Sequence, residues 1–155
     1  MSQPRPESRQ VLDQAIATLQ RLAELFAERR EQLAAEAGLS VPQWRLLEEI
    51  ATEHFMPSMF ARRRAVSSAA VSKLVRGLLE RNWVSVKVSA ADGRQREYSL
   101  TARGRRILEA LRASREHAVE VVWSDLPTRE LRRFAEFGDD LADRLEAYAA
   151  GDGRD

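Results

Sequence analysis

The chain has 155 residues, 44% hydrophobic and 32% charged, enough for one domain with a substantial core. It contains no cysteine, which excludes structural disulfides, thiolate metal sites and thiol-based redox sensing by this chain. Its formal net charge of +1 hides a division: residues 62–106 hold 12 Lys and Arg against 3 Asp and Glu, a local +9, and the remainder holds 13 against 21, or −8. Concentration of one sign in a third of the chain is the electrostatic footprint of a polyanion partner. The segment MSQPRPESRQ lacks the apolar core of a signal peptide, and no run approaches the roughly 18 apolar residues needed to cross a bilayer, so a soluble cytoplasmic chain is expected.

From Leu12 through Ala15, Ile16, Leu19, Ala23, Phe26 and Ala27 to Leu33, apolar residues recur at helical spacing, and Gly38 ends the run. Ser40-Val41-Pro42-Gln43 has the form of a capping box, with proline tolerated in the first turn, and opens a second helix through Ile50. Pro57 breaks the pattern, and Ser58 to Arg64 reads as a short third helix.

In Ser68 to Arg81, Val71, Leu74, Val75, Leu78 and Leu79 fall on one stripe of a helix whose amino end Ser67 is placed to cap. The opposite face carries Ala69, Ser72, Lys73 and Arg76 beside Ser68. Small and hydroxylated residues let a helix sit deep in a major groove, while Lys73 and Arg76 can reach phosphates or guanine edges. Alone, the segment reads equally as a surface helix with a solvated polar side, and the next segment shifts that balance. Val84, Val86 and Val88 alternate with Ser85, Lys87 and Ser89, the period of a strand with one packed face. Asp92-Gly93 supplies a turn before a second strand from Gln95 to Leu100. Lys87, Arg94 and Arg96 decorate this ribbon, and such a loop beside a recognition helix can lay an arginine into the minor groove; a solvated hairpin is the plainer alternative. Arg62, Arg63 and Arg64 add charge at the end of the preceding helix.

Thr101 can cap a long helix to about Trp123, with Gly104 at its start, and Asp125-Leu126-Pro127-Thr128 begins the last helix. Its residues Leu131, Phe134, Gly138, Leu141, Leu145 and Tyr148 form a narrow seam suited to packing helix on helix. These helices hold more apolar surface than one small core needs. The expectation is therefore a single compact chain, mainly α with a small β-hairpin wing. Residues 39–100 form a winged helix-turn-helix, and helices over 8–36 and 101–150 form a dimerisation region interlocking two copies. Intramolecular packing in a monomer is the alternative. The ends, roughly 1–7 and 150–155, read as disordered.

The run from Ala61 through Val66-Ser67 into Val71 and Leu74 resembles the MarR family of bacterial winged-helix regulators. So do the wing pattern Asp92-x-Arg94 leading to Leu100-Thr101-x-x-Gly104, and Leu39-Ser40-x-x-Gln43-Trp44 before the motif. The likeness extends more loosely over residues 10–148. It implies that Asp92 pairs with and orients Arg94, which enters the minor groove. Arg62-Arg63-Arg64-Ala65 departs from the family, which more often has a mixed run ending in Leu-Gly. The resemblance further implies a homodimer on double-stranded DNA at an inverted repeat, acting as a repressor. It also implies release by a small aromatic or phenolic acid bound where the dimerisation helices meet the winged lobe. Phe26, Trp44, His54 and Phe55 could line such a cleft, with Arg30 or Arg45 meeting a carboxylate; aromatic residues at helical spacing also serve as core.

His54 and His117 have no His, Cys or carboxylate partners at metal-ligand spacing, so no metal or cofactor is expected. Ser67, Ser68 and Ser72 lack a glycine-flanked nucleophile elbow, and no phosphate-cradling glycine loop is present, so no catalysis is expected. The competing reading is a winged helix used as a protein-interaction module, against which the converging basic residues argue.

Overall fold

The computed structural model describes residues 6–52, 55–88 and 96–151. These form α1 (Pro6–Glu36), α2 (Val41–Ile50), α3 (Pro57–Arg63), α4 (Ser68–Glu80), β1 (Val84–Val88), β2 (Arg96–Leu100), α5 (Ala102–Trp123) and α6 (Thr128–Gly151). The mainly helical chain with a hairpin expected from the sequence is what is observed. Helix extends further at both ends than expected, to Pro6 and to Gly151, while residues 1–5 and 152–155 lie outside the described residues.

The chain divides into two compact units, residues 1–115 and 116–155. In the first, one core gathers Leu33 and Ala34 from the end of α1, Leu46, Leu47 and Ile50 from α2, and Phe60 and Ala61 from α3. Val71, Val75 and Leu78 from α4, the wing base at Val84 and Leu100, and Leu108 and Leu111 from α5 join it, with Leu39, Trp44 and Trp83. Along α4 the buried residues keep the expected stripe, with Leu74 and Leu79 half-buried at its margin. The second unit holds the end of α5 and α6, and α6 has no buried residue.

Helix starts follow the sequence. Ser40 and Gln43 form a reciprocal capping box on α2, the Ser40 amide donating to Gln43 Oε1 at 2.9 Å. The Ser67 hydroxyl accepts from the Ala70 amide at 3.1 Å, and the Thr101 hydroxyl accepts from the Gly104 amide at 3.0 Å.

Helix ends share a device that was only partly legible. After α1, the Leu39 amide donates to Ala34 O and the Gly38 amide to Ala35 O, with Gly38 at φ 71°. After α3, Val66 donates to Ala61 O and Ala65 to Arg62 O, with Ala65 at φ 51°. After α4, Trp83 donates to Leu78 O and Asn82 to Leu79 O, with Asn82 at φ 55°. Each is a Schellman closure with one left-handed residue. The turn between α3 and α4 therefore closes with an alanine, not a glycine, in the left-handed region.

The hairpin pairs β1 and β2 antiparallel, from Val84 opposite Leu100 to Val88 opposite Arg96. The sequence reading of one packed face holds only at its base: exposure rises from 2% at Val84 to 41% at Val86 and 65% at Val88. The ribbon runs out past the core, so the alternation continues where there is nothing left to pack against. At the base, the Trp83 carbonyl accepts from the Thr101 amide at 3.0 Å, and a Cβ built on Gly104 would stand 2.0 Å from that same oxygen. Gly104 is thus more than a helix-start residue, because only a residue without a side chain lets α5 approach the end of α4.

Left-handed backbone strains a residue bearing a Cβ by about 1–2 kcal/mol, part of which glycine's greater unfolded-state freedom offsets. Ala65→Gly is expected to stabilise the fold by about 0.5–1 kcal/mol. An unchanged or lowered urea midpoint in equilibrium unfolding would contradict this.

Candidate nucleic-acid interface

The outer face of α4 is built by its amphipathic pattern. With Val71, Val75 and Leu78 held inward, Ser68, Ala69, Ala70, Ser72, Lys73 and Arg76 are all exposed. Its first turn carries no acidic residue, and Glu80 at its last position is the helix's one carboxylate. Among the described residues no salt bridge engages Lys73 or Arg76, so both cations are available to an external anion. The free amide groups and dipole of the capped amino end favour the same anion.

α3 packs against α4 and ends in the basic run. Arg62 and Arg64 are exposed and enter no ion pair among the described residues, whereas Arg63 is paired with Glu49 of α2. Arg96 begins β2 opposite Val88 and is exposed, as is Lys87 of β1, which stands opposite Glu97. Asp92 and Arg94 lie outside the described residues. Arg81, inside the same basic segment, is differently employed: its guanidinium lies 4.8 Å from the centroid of the Trp83 ring and donates to the Gly38 carbonyl.

The six residues expected to line an effector cleft are not gathered in one place. Phe26, Arg30 and Arg45 border a recess of about 320 Å³ together with Ala27, Glu31 and Val41. Trp44 is a core residue, 6% exposed, and its buried indole N–H has no hydrogen-bond partner among the described residues. His54 lies outside the described residues. Phe55 borders a different and larger cavity of about 890 Å³ between the end of α2, the wing base and α5.

Phe55 meets Tyr98 edge-on there, with centroids 5.6 Å apart, and Lys87, Arg96, Arg105 and Arg112 ring the space. Glu97 and Glu109 also border it. The Arg105 guanidinium donates to the Leu100 carbonyl at 2.8 Å, while no salt bridge among the described residues holds Lys87, Arg96 or Arg112. An aromatic wall with unpaired cations is chemistry that accepts a flat acid. Sequence reasoning missed Tyr98, Arg105 and Arg112. The available signal was the spacing of Arg105, Leu108 and Arg112, which places both arginines on the flank of α5 whose leucine enters the core.

Two helices joined by a tight turn, the second presenting small and basic side chains and followed by a hairpin, define a winged helix-turn-helix. Residues 37–95 match the MarR family model, and the fold is similar to that of solved MarR family transcription regulators. One such regulator, SP03579, superimposes with a TM-score of 0.81 at 18% identity, covering 93% of this chain and 96% of that one. Staphylococcus aureus MarR in complex with salicylate and kanamycin gives 0.73 at 16% identity, covering 91% and 96%. The Staphylococcus aureus MepR–DNA complex gives 0.65 at 16%, covering 83% and 94%. At these identities the likeness to the solved structures is one of fold. No curated protein matches the chain by sequence.

Arg76→Ala is expected to weaken duplex binding by about 1–3 kcal/mol, the range for a side chain reading a base edge. Fluorescence anisotropy with the cognate duplex is the check, and unchanged affinity would remove Arg76 from the interface.

Proposed function

We propose that this protein is a sequence-specific DNA-binding transcription regulator of the bacterial cytoplasm, a repressor that acts as a homodimer on an inverted-repeat operator. The observation that carries the reading is the outer face of α4, small at Ser68, Ala69 and Ser72, cationic at Lys73 and Arg76, and without a carboxylate before Glu80. Helices of that character enter a major groove, and the MepR–DNA complex supports the reading by shared fold. Ser67 caps the helix, Arg62 and Arg64 extend the cationic surface, and Arg96 and Lys87 stand toward the outer end of the hairpin strands. In this reading Asp92 orients Arg94 at the wing for the minor groove.

A second copy is called for by surface that one chain leaves in water. On α1, Val11, Leu12, Ile16, Leu25 and Phe26 are exposed, and on α6 Phe134, Phe137, Leu145 and Tyr148 are exposed. Residues 8–36 and 101–150 form the dimerisation region. Twofold symmetry then sets two reading helices about one turn of duplex, roughly 10 base pairs, apart. The effector is a small aromatic or phenolic acid, and the cavity between Phe55, Tyr98 and Arg112 is its site; the salicylate complex of the Staphylococcus aureus relative supports the ligand class. A ligand there acts only by binding the DNA-competent and DNA-incompetent shapes unequally.

Sedimentation analysis and anisotropy against DNA flanking the gene are expected to show a dimer. Its affinity should fall with added salt on a slope of about −0.9 per phosphate neutralised. A monomer that ignores duplexes at low ionic strength would overturn the proposal. Salicylate is expected to release the duplex from the wild-type chain, and Arg112→Gln should require about tenfold more of it, the loss of one charge-assisted contact. Equal sensitivity of the two proteins would move the effector site elsewhere.

A further inference from the structure

The three consecutive arginines at the end of α3 look equivalent in sequence, and the structure separates them. Phe60 faces the core at 3% exposure, and Arg63, three residues on, lies on the same flank of the helix. Arg62 lies two residues from Phe60 and so points to the other side. Arg64 follows the last helical residue at φ −100°, ψ 1°, where the chain turns toward α4. The Arg63 guanidinium meets the Glu49 carboxylate of α2, whose side chain is only 16% exposed against 55% for the arginine. A carboxylate so far withdrawn from water needs a fixed cation, and Arg63 supplies it from the next helix.

We propose that Arg63 is a positioning residue, docked on Glu49 to set α3 against α2, and that of the three arginines only Arg62 and Arg64 neutralise DNA phosphate. The proposal rests on the DNA-binding reading above. A guanidinium already matched within the protein neutralises no phosphate and so releases no counterion from the DNA, which leaves Arg63 contributing to the placement of the helix-turn-helix rather than to the salt dependence of binding. Glu49 in turn is kept from repelling the duplex by the same pair. The closed pair gives α3 a stop against which the turn to α4 is set, which is how a residue on the first helix can govern what the second one reads.

The test compares wild type, Arg62→Gln, Arg63→Gln, Arg64→Gln, Arg63→Glu and the charge-swapped double variant Glu49→Arg/Arg63→Glu, by duplex anisotropy over a series of salt concentrations. Arg62→Gln and Arg64→Gln are expected to reduce the slope of log affinity against log salt by about 0.9 each. Arg63→Gln should weaken binding by a similar factor at every salt concentration, leaving the slope at its wild-type value. Arg63→Glu should weaken binding by about tenfold, within the range for neighbouring charges in one network, and the charge swap should recover most of that loss. A slope for Arg63→Gln reduced like those of its neighbours, or a swapped variant as weak as Arg63→Glu alone, would show Arg63 on phosphate and overturn the inference. A wild-type chain with no salt-dependent duplex binding would overturn the DNA-binding reading itself, and this inference with it, before any variant is compared.

Discussion

The main chain at Trp83 holds the winged lobe together. Its amide closes α4 by donating to Leu78 O, its carbonyl accepts from Thr101 at the approach to α5, and the same carbonyl leaves no room for a side chain on Gly104. The indole is buried beneath Arg81, which also holds the Gly38 carbonyl at the close of α1. One residue thus ties the end of α4, the first strand of the wing and the start of α5. That close approach, with Val84 and Leu100 in one core with Val75 and Leu78, fixes the relation of α4 to the wing. The DNA-binding surface proposed for α4 and the wing needs that relation, because a groove accepts helix and ribbon only at set angles and offsets.

The cationic surface rests on this frame and is smaller than the composition suggests. Of the arginines in the basic segment, Arg81 is engaged by a ring and a carbonyl, Arg63 by a carboxylate, and Arg105 by the Leu100 carbonyl. Each spends its charge or its donors inside the protein. Among the described residues, those without such partners are Arg62 and Arg64 at the close of α3, Lys73 and Arg76 on α4, Lys87 and Arg96 on the hairpin, and Arg103 and Arg106 on α5. Net charge of a segment therefore overstates its phosphate contacts, and the difference lies in the geometry of individual guanidinium groups.

The large cavity lies where a change of shape would matter. Its walls come from the end of α2, from β2 and from α5, so anything occupying it bears on the base of the wing and on the helix that leaves the lobe. Phe55 links the two sides, stacking edge-on against Tyr98 of β2 and against Phe60 of α3 at 6.2 Å. Aromatic edges that are in contact move together or separate, and they do not deform gradually. A ligand against Phe55 would in this way be felt by the first helix of the helix-turn-helix as well as by the wing.

Local rules were written plainly in the chain. The stripe of Val71, Val75 and Leu78, the caps at Ser40, Ser67 and Thr101, the stop at Gly38 and the antiparallel hairpin follow from spacing, hydrogen-bonding side chains and turn chemistry acting over a few residues, so sequence alone determined the elements, their order and the small cationic face of α4. Long-range contacts were decided only in three dimensions. Spacing from Phe60 puts Arg63 and not Arg62 on the inner flank of α3, but nothing near it names its partner, because Glu49 is 14 residues away on another helix. Phe26 and Phe55 suit one cleft by residue type but border two separate spaces, and Val86 alternates correctly yet lies beyond the reach of the core. Periodicity fixes which way a side chain faces on its own element. Where that element ends, and what stands opposite, depends on how the helices and hairpin close around a shared interior.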